Sequence, residues 1–162
     1  MLLALSVIIG IICKNLFTWG IYYRVTFENF PIILAGFCFG PFYGAAVAVG
    51  ADVISCLCSS NPVINPIITL GAAAVGFVSG IVGAVSRKLA PNLKNTTTLA
   101  LSVAFAHLIG QVIIKSIGKI VMFGMPLAGV LVGLGISCVV GIIEFFLIRT
   151  ILKIPEIAKF LK

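Results

Sequence analysis

No charged residue stands between Asp52 and Arg87, and none stands between Lys119 and Glu144. Each interval is long enough for a membrane helix, which needs about 20 consecutive apolar residues. The 162-residue chain is 61% hydrophobic and 9% charged, with a mean hydropathy of +1.28. A soluble domain of this size cannot hide so much apolar surface. The sequence therefore reads as an all-α integral membrane protein, one domain over residues 1–162, with no room for a soluble catalytic module. Its start, MLLALSVIIG, lacks the basic region and small-residue cleavage site of a signal peptide, and reads as a first membrane helix.

Six transmembrane helices fit. They run over residues 1–16, 26–39 (broken by Pro31), 42–58, 67–84, 96–125 and 127–152. Turn chemistry separates them at Gly40-Pro41, across 59–66 (Ser-Ser-Asn-Pro-Val-Ile-Asn-Pro) and at Gly124-Met125-Pro126. Net charge is +7, and the location of the cations says more than the sum. Arg87, Lys88 and Lys94 form one cluster; Arg149, Lys153, Lys159 and Lys162 form another. Six spans bring both clusters and both termini to one side, which the positive-inside rule makes cytoplasmic. The clusters flank spans without aromatic interleaving, so they are not a nucleic-acid surface.

Inside the fifth span, His107, Gln111, Lys115 and Lys119 stand at successive i+4 positions. That spacing stacks neighbours on one helix face. A charge near the bilayer centre costs about 2.5–3.5 kcal/mol on insertion scales, so the ladder should face a polar cavity or a partner. With this topology Lys115, Lys119 and Arg24 gather toward the external end, against the positive-inside trend, and an anionic ligand would account for them. Trp19, Tyr22, Tyr23 and Phe27 lie beside Arg24 and Glu28 in the first external segment. Aromatic faces can stack on a flat heterocycle and an arginine can clamp a carboxylate; an interfacial aromatic belt is the alternative. Glu28 should pair with a cation or a ligand N–H. Asp52 reads either as a site residue or as a structural hydrogen-bond hub. Glu144, about two turns from the cytoplasmic end, reads as partner-facing or linked to Arg149.

Catalytic signatures are missing. Gly118-Lys119 is followed by Ile with no upstream glycine, so there is no P-loop, and neither H-E-x-x-H nor G-x-S-x-G occurs. One histidine and four acids are too few for a catalytic triad or a metal site, and no cofactor is expected. The five cysteines (Cys13, Cys38, Cys56, Cys58, Cys138) complete no zinc pattern and read as small buried hydrophobes. Small residues recur at i+4 as Gly40/Gly44/Ala48, Ala72/Gly76/Gly80/Ala84 and Gly129/Gly133/Ser137/Gly141. Such faces let membrane helices approach closely, within the bundle or against another subunit.

Four stretches carry a family likeness: Arg24-Val-Thr-Phe-Glu-Asn-Phe-Pro-Ile-Ile-Leu-Ala-Gly36, Phe39-Gly-Pro-Phe-Tyr-Gly44, Gly50-Ala-Asp52 and Asn65-Pro-Ile-Ile-Thr-Leu-Gly71. In order and spacing they resemble the folate-type S components of energy-coupling factor (ECF) transporters, the substrate-binding membrane subunits of prokaryotic vitamin importers. The resemblance implies a six-helix bundle in the plasma membrane and folate as ligand. It also implies a transmembrane coupling subunit and two ATPase subunits as partners, which would hydrolyse the ATP this chain cannot bind. The family's small-residue docking face on the first helix has its nearest equivalent in Ser6 and Gly10. Folate is a flat pterin joined through an aryl ring to a glutamate dianion. That chemistry suits Trp19, Tyr22 and Phe27 for stacking, Glu28 or Asn65 for a pterin edge, and Arg24, Lys115 and Lys119 for the carboxylates. His107 and Gln111 would hydrogen-bond deeper. Riboflavin, biotin or a deazapurine remain alternative ligands, and a non-binding assembly subunit is the alternative role.

Overall fold

The computed structural model describes residues 1–16, 18–19, 23–24, 27–59, 65–89 and 95–153. Among them the helices are α1 (Leu2–Leu16), α2 (Asn29–Phe39), α3 (Pro41–Leu57), α4 (Pro66–Leu89), α5 (Asn95–Ala106), α6 (Lys115–Phe123) and α7 (Leu127–Ile151). An eight-residue π segment, His107–Ile114, joins α5 to α6 in one continuous rod. Among the described residues these form six helical stretches. Three are long and apolar enough to cross a membrane, Pro66–Leu89, Thr96–Met122 and Ala128–Ile151, and three are shorter apolar helices. Membrane embedding follows from these helices.

Local chemistry sets the boundaries. The α2–α3 turn is Gly40, whose φ of +103° suits a residue without Cβ, and Pro41 then opens α3 at a position where its missing N–H costs nothing. Gly124 ends α6 in the left-handed conformation (φ +60°), its N–H returning to the Ile120 carbonyl, and Pro126 leads into α7. Pro31 does not break its helix as the sequence reading expects. It sits in the first turn of α2, where no intrahelical N–H is required. Nor does α4 stop at Ala84. It continues to Leu89, and Arg87 folds back over the Phe37 ring (5.0 Å) while Nη2 donates to the Phe37 carbonyl at 3.1 Å. A cation there complements the C-terminal end of the α2 dipole.

The centre of the bundle is α2, buried continuously from Asn29 to Phe37. Ile32, Ile33, Leu34 and Phe37 meet Ala48 of α3, Ala72 and Val75 of α4, Leu99, Val103 and Ala106 of α5, and Ile148 of α7. The bundle's outer surface carries Ile8, Phe42, Leu70, Leu108, Val121, Leu131 and Phe146, as an apolar solvent requires. Helices α2, α3 and α4 touch through backbone. A Cβ on Gly44 would lie 2.5 Å from the Gly76 carbonyl oxygen and 2.6 Å from the Gly36 Cα. Internal packing is therefore the role of Gly44, Gly76 and Gly80, whereas Gly133 and Gly135 of α7 look into open space. All five cysteines are free; Cys13 and Cys56 are buried, but Cys58 and Cys138 are exposed.

Candidate functional site

At the end of the bundle where α1 and α3 finish and α4 begins, a polar network replaces the apolar core. Lys14 is 6% exposed. Its Nζ donates to Ser55 Oγ (2.6 Å), Asp52 Oδ1 (3.1 Å) and Cys56 Sγ (3.2 Å), and lies 3.8 Å from Glu28 Oε2. The second oxygen of Asp52 accepts from Thr69 Oγ1 of α4 at 2.7 Å. Four segments are thus tied by one buried cation and two carboxylates. Asp52 is the hub, and Glu28 has the cation its position called for. The sequence reading missed Lys14 altogether. A lysine near a helix end ordinarily snorkels to the interface, and nothing in its own neighbourhood marks an acid 38 residues downstream.

Further into the bundle, His107 at the start of the π segment bonds through Nε2 to Glu144 Oε2 of α7 at 2.7 Å. The carboxylate is fully buried. This overturns the expectation that Glu144 faces a partner or pairs with Arg149: it points into the bundle, and His107 is its bonded neighbour. One atom of each group, His107 Nδ1 and Glu144 Oε1, is buried with no hydrogen-bond partner. Leaving such an atom unmatched costs about 1–3 kcal/mol.

The ladder divides across the π segment, where i+5 bonding resets the rotation of successive side chains. Lys115 is buried, its stem against Gly71 of α4, within electrostatic reach of Asp52 and Glu144. Gln111 and Lys119 turn toward α7 instead. With Ser116, Ser137 and Met125 they line a narrow cavity of about 40 Å³ between α6 and α7. Beside it, an apolar groove of about 480 Å³ opens along α5 and α7, lined by Val103, His107, Gly141 and Phe145 among others. The groove falls in the size range of small-molecule sites. Ser137 borders both spaces.

The remaining expected residues fall as follows. Asn65 caps α4, its Oδ1 accepting from the N–H groups of Ile67 (3.0 Å) and Ile68 (3.4 Å), and its buried Nδ2 has no partner. Phe27 is half-buried beside Glu28. Trp19 and Arg24 lie in a short antiparallel pair, β1 (Thr18–Trp19) with β2 (Tyr23–Arg24), where the sequence reading had only a loop. Their side chains, like Tyr22, Lys94, Lys159 and Lys162, lie outside the described residues. Ser6 and Gly10 both face inward. Ser6 Oγ donates to the Glu28 carbonyl at 2.9 Å, and a Cβ on Gly10 would stand 2.9 Å from Glu28 Oε2. The exposed face of α1 is Leu5, Ile8 and Ile12. Asn29 was not anticipated: it is fully buried at the start of α2, with both amide atoms unpartnered.

The bundle thus combines an apolar exterior with buried charges, buried polar atoms lacking hydrogen-bond partners, and a polar-lined seam. The chain belongs to the ECF transporter substrate-specific component family, whose family model matches residues 1–155. Members are substrate-binding transporter subunits rather than enzymes, and they act with partner subunits of the ECF transporter. No curated protein matches the chain.

Proposed function

We propose that this chain is the folate-binding subunit of an ECF-type importer, a single domain of six spans with both termini cytoplasmic. The observation that carries the reading is the buried, partly unmatched polar interior running from Glu28 and Asn65 through Lys115 to His107 and Glu144. Orphaned acceptors and donors at Glu28, Asn29 and Asn65 suit the hydrogen-bonding edge of a pterin. Lys115, Lys119 and Arg24 carry the positive charge that suits the glutamate carboxylates, and Gln111 shares the α6–α7 cavity with Lys119. Trp19, Tyr22 and Phe27 supply aromatic faces. The chain takes its energy from partners, a transmembrane coupling subunit and two ATPases.

The test uses the sole tryptophan, Trp19. Purified protein, stripped of co-purified ligand, is titrated with folate, riboflavin, biotin and thiamine. Saturable quenching by folate alone is the expected result. A response to another vitamin alone replaces the ligand and keeps the transporter subunit. Silence to all four, with an unchanged melting temperature, points to an assembly role. Lys115→Ala should weaken folate about ten- to a hundredfold, the worth of one charge-assisted bond, and should affect pteroate far less because it lacks the glutamate. Equal losses for both ligands would remove Lys115 from the carboxylate site.

A further inference from the structure

The His107–Glu144 pair is the clearest polar element outside the network around Lys14. It bridges the π segment and the packed stretch of α7, with buried Val140 and Ile148 one turn to either side of Glu144. Gly141 makes room for the imidazole, since a Cβ there would sit 3.4–3.6 Å from ring atoms. Glu144 lies one helical turn beyond Gly141 on the same face. An ionised carboxylate against Nε2 fixes a proton on that nitrogen and leaves Nδ1 as the ring atom available to anything else. That Nδ1 is buried, unpartnered, and belongs to a side chain lining the groove between α5 and α7.

We infer that Glu144 is a positioning residue for ligand binding: it holds His107 with Nε2–H toward α7 so that Nδ1 meets the bound ligand. The inference rests on the folate reading for the identity of that ligand. Glu144 itself makes no ligand contact; it sets the orientation and tautomer of the residue that does. A strut would serve equally well with any side chain of the right volume. A positioning acid requires an acceptor at this place.

Because the chain has a single histidine, imidazole-¹⁵N labelling gives one unambiguous pair of ring signals. The full chain in detergent is measured with and without folate, alongside Glu144→Gln and Glu144→Leu. Expected are a proton on Nε2 in the parent and a shift of the Nδ1 signal on saturation with folate. Glu144→Leu should lose the fixed tautomer and weaken folate by about tenfold or more, while Glu144→Gln, which keeps an acceptor, stays within about threefold. An Nδ1 signal unmoved by saturating folate overturns the inference. So does a Glu144→Leu protein that melts lower yet binds folate as the parent does. If Glu144→Leu fails to fold, the Nδ1 shift in the parent and the Glu144→Gln affinity decide. If the parent binds no folate, the folate reading fails on its own, and the positioning role stands if Glu144→Leu loses the tautomer that Glu144→Gln keeps and falls if both keep it.

Discussion

Helices α1–α4 and the rod-plus-α7 half solve the same problem in opposite ways. In the first half, glycine backbones touch and Lys14 has acceptors on several sides. In the second, α5 and α6 are joined through a π segment, α7 lies beside cavities, and the His107–Glu144 hydrogen bond leaves an atom open on each partner. A close-packed region has one arrangement; a region with cavities beside its helices can accept another. The contrast assigns the frame to α1–α4 and the adaptable wall to α5–α7.

The most damaging way to break that contrast is Asp52→Ala. It removes the nearer of the two carboxylates beside Lys14 in the apolar frame, and removing one partner of a buried pair costs about 3–5 kcal/mol. The chain should express poorly or melt far below the parent; an unchanged melting temperature would mean that Glu28 alone neutralises Lys14 or that Lys14 reaches water. Next comes Gly76→Ala. Its Cβ would collide with the Gly44 backbone, which has no flexible end to yield, and overpacking of this kind costs about 1–3 kcal/mol. Thermal unfolding in detergent measures it, and a neutral result would show that the helices separate easily. The smallest effect sharpens the comparison from the other side. Gly133→Ala meets nothing within 4 Å and removes backbone freedom from a helix, so it should be neutral or stabilising by about 0.5–1 kcal/mol. A large loss at Gly133 would place α7 much closer to its neighbours.

The helices were legible because their signals are local: charge-free intervals, Gly40-Pro41, and the Gly124–Pro126 turn. The polar ladder was legible as a set of residues but not as a geometry. Spacing by four reads as one α-helical face, and no residue type announces the π turn that sends Lys115 toward α4 and Gln111 toward α7. Lys14–Asp52 and His107–Glu144 were hidden for a different reason. Each joins residues 37 or 38 positions apart, and a lone charge in an apolar run says that it needs a partner without saying which. Glu144 looked outward because Arg149 was the nearest opposite charge in sequence. Ser6 and Gly10 looked outward because small residues serve internal and external contacts alike.

The brevity of α2 bears on how the protein is made. Eleven residues rise only about 16 Å, roughly half of a hydrocarbon layer some 30 Å thick. A translocating machine offered that segment alone would find nothing that reaches both interfaces. Gly40 binds it to α3 with no intervening loop, so the two must partition into lipid as one hairpin. The most deeply enclosed helix of the bundle is thus also the shortest of its apolar helices, and it depends on α3 for its place in the membrane.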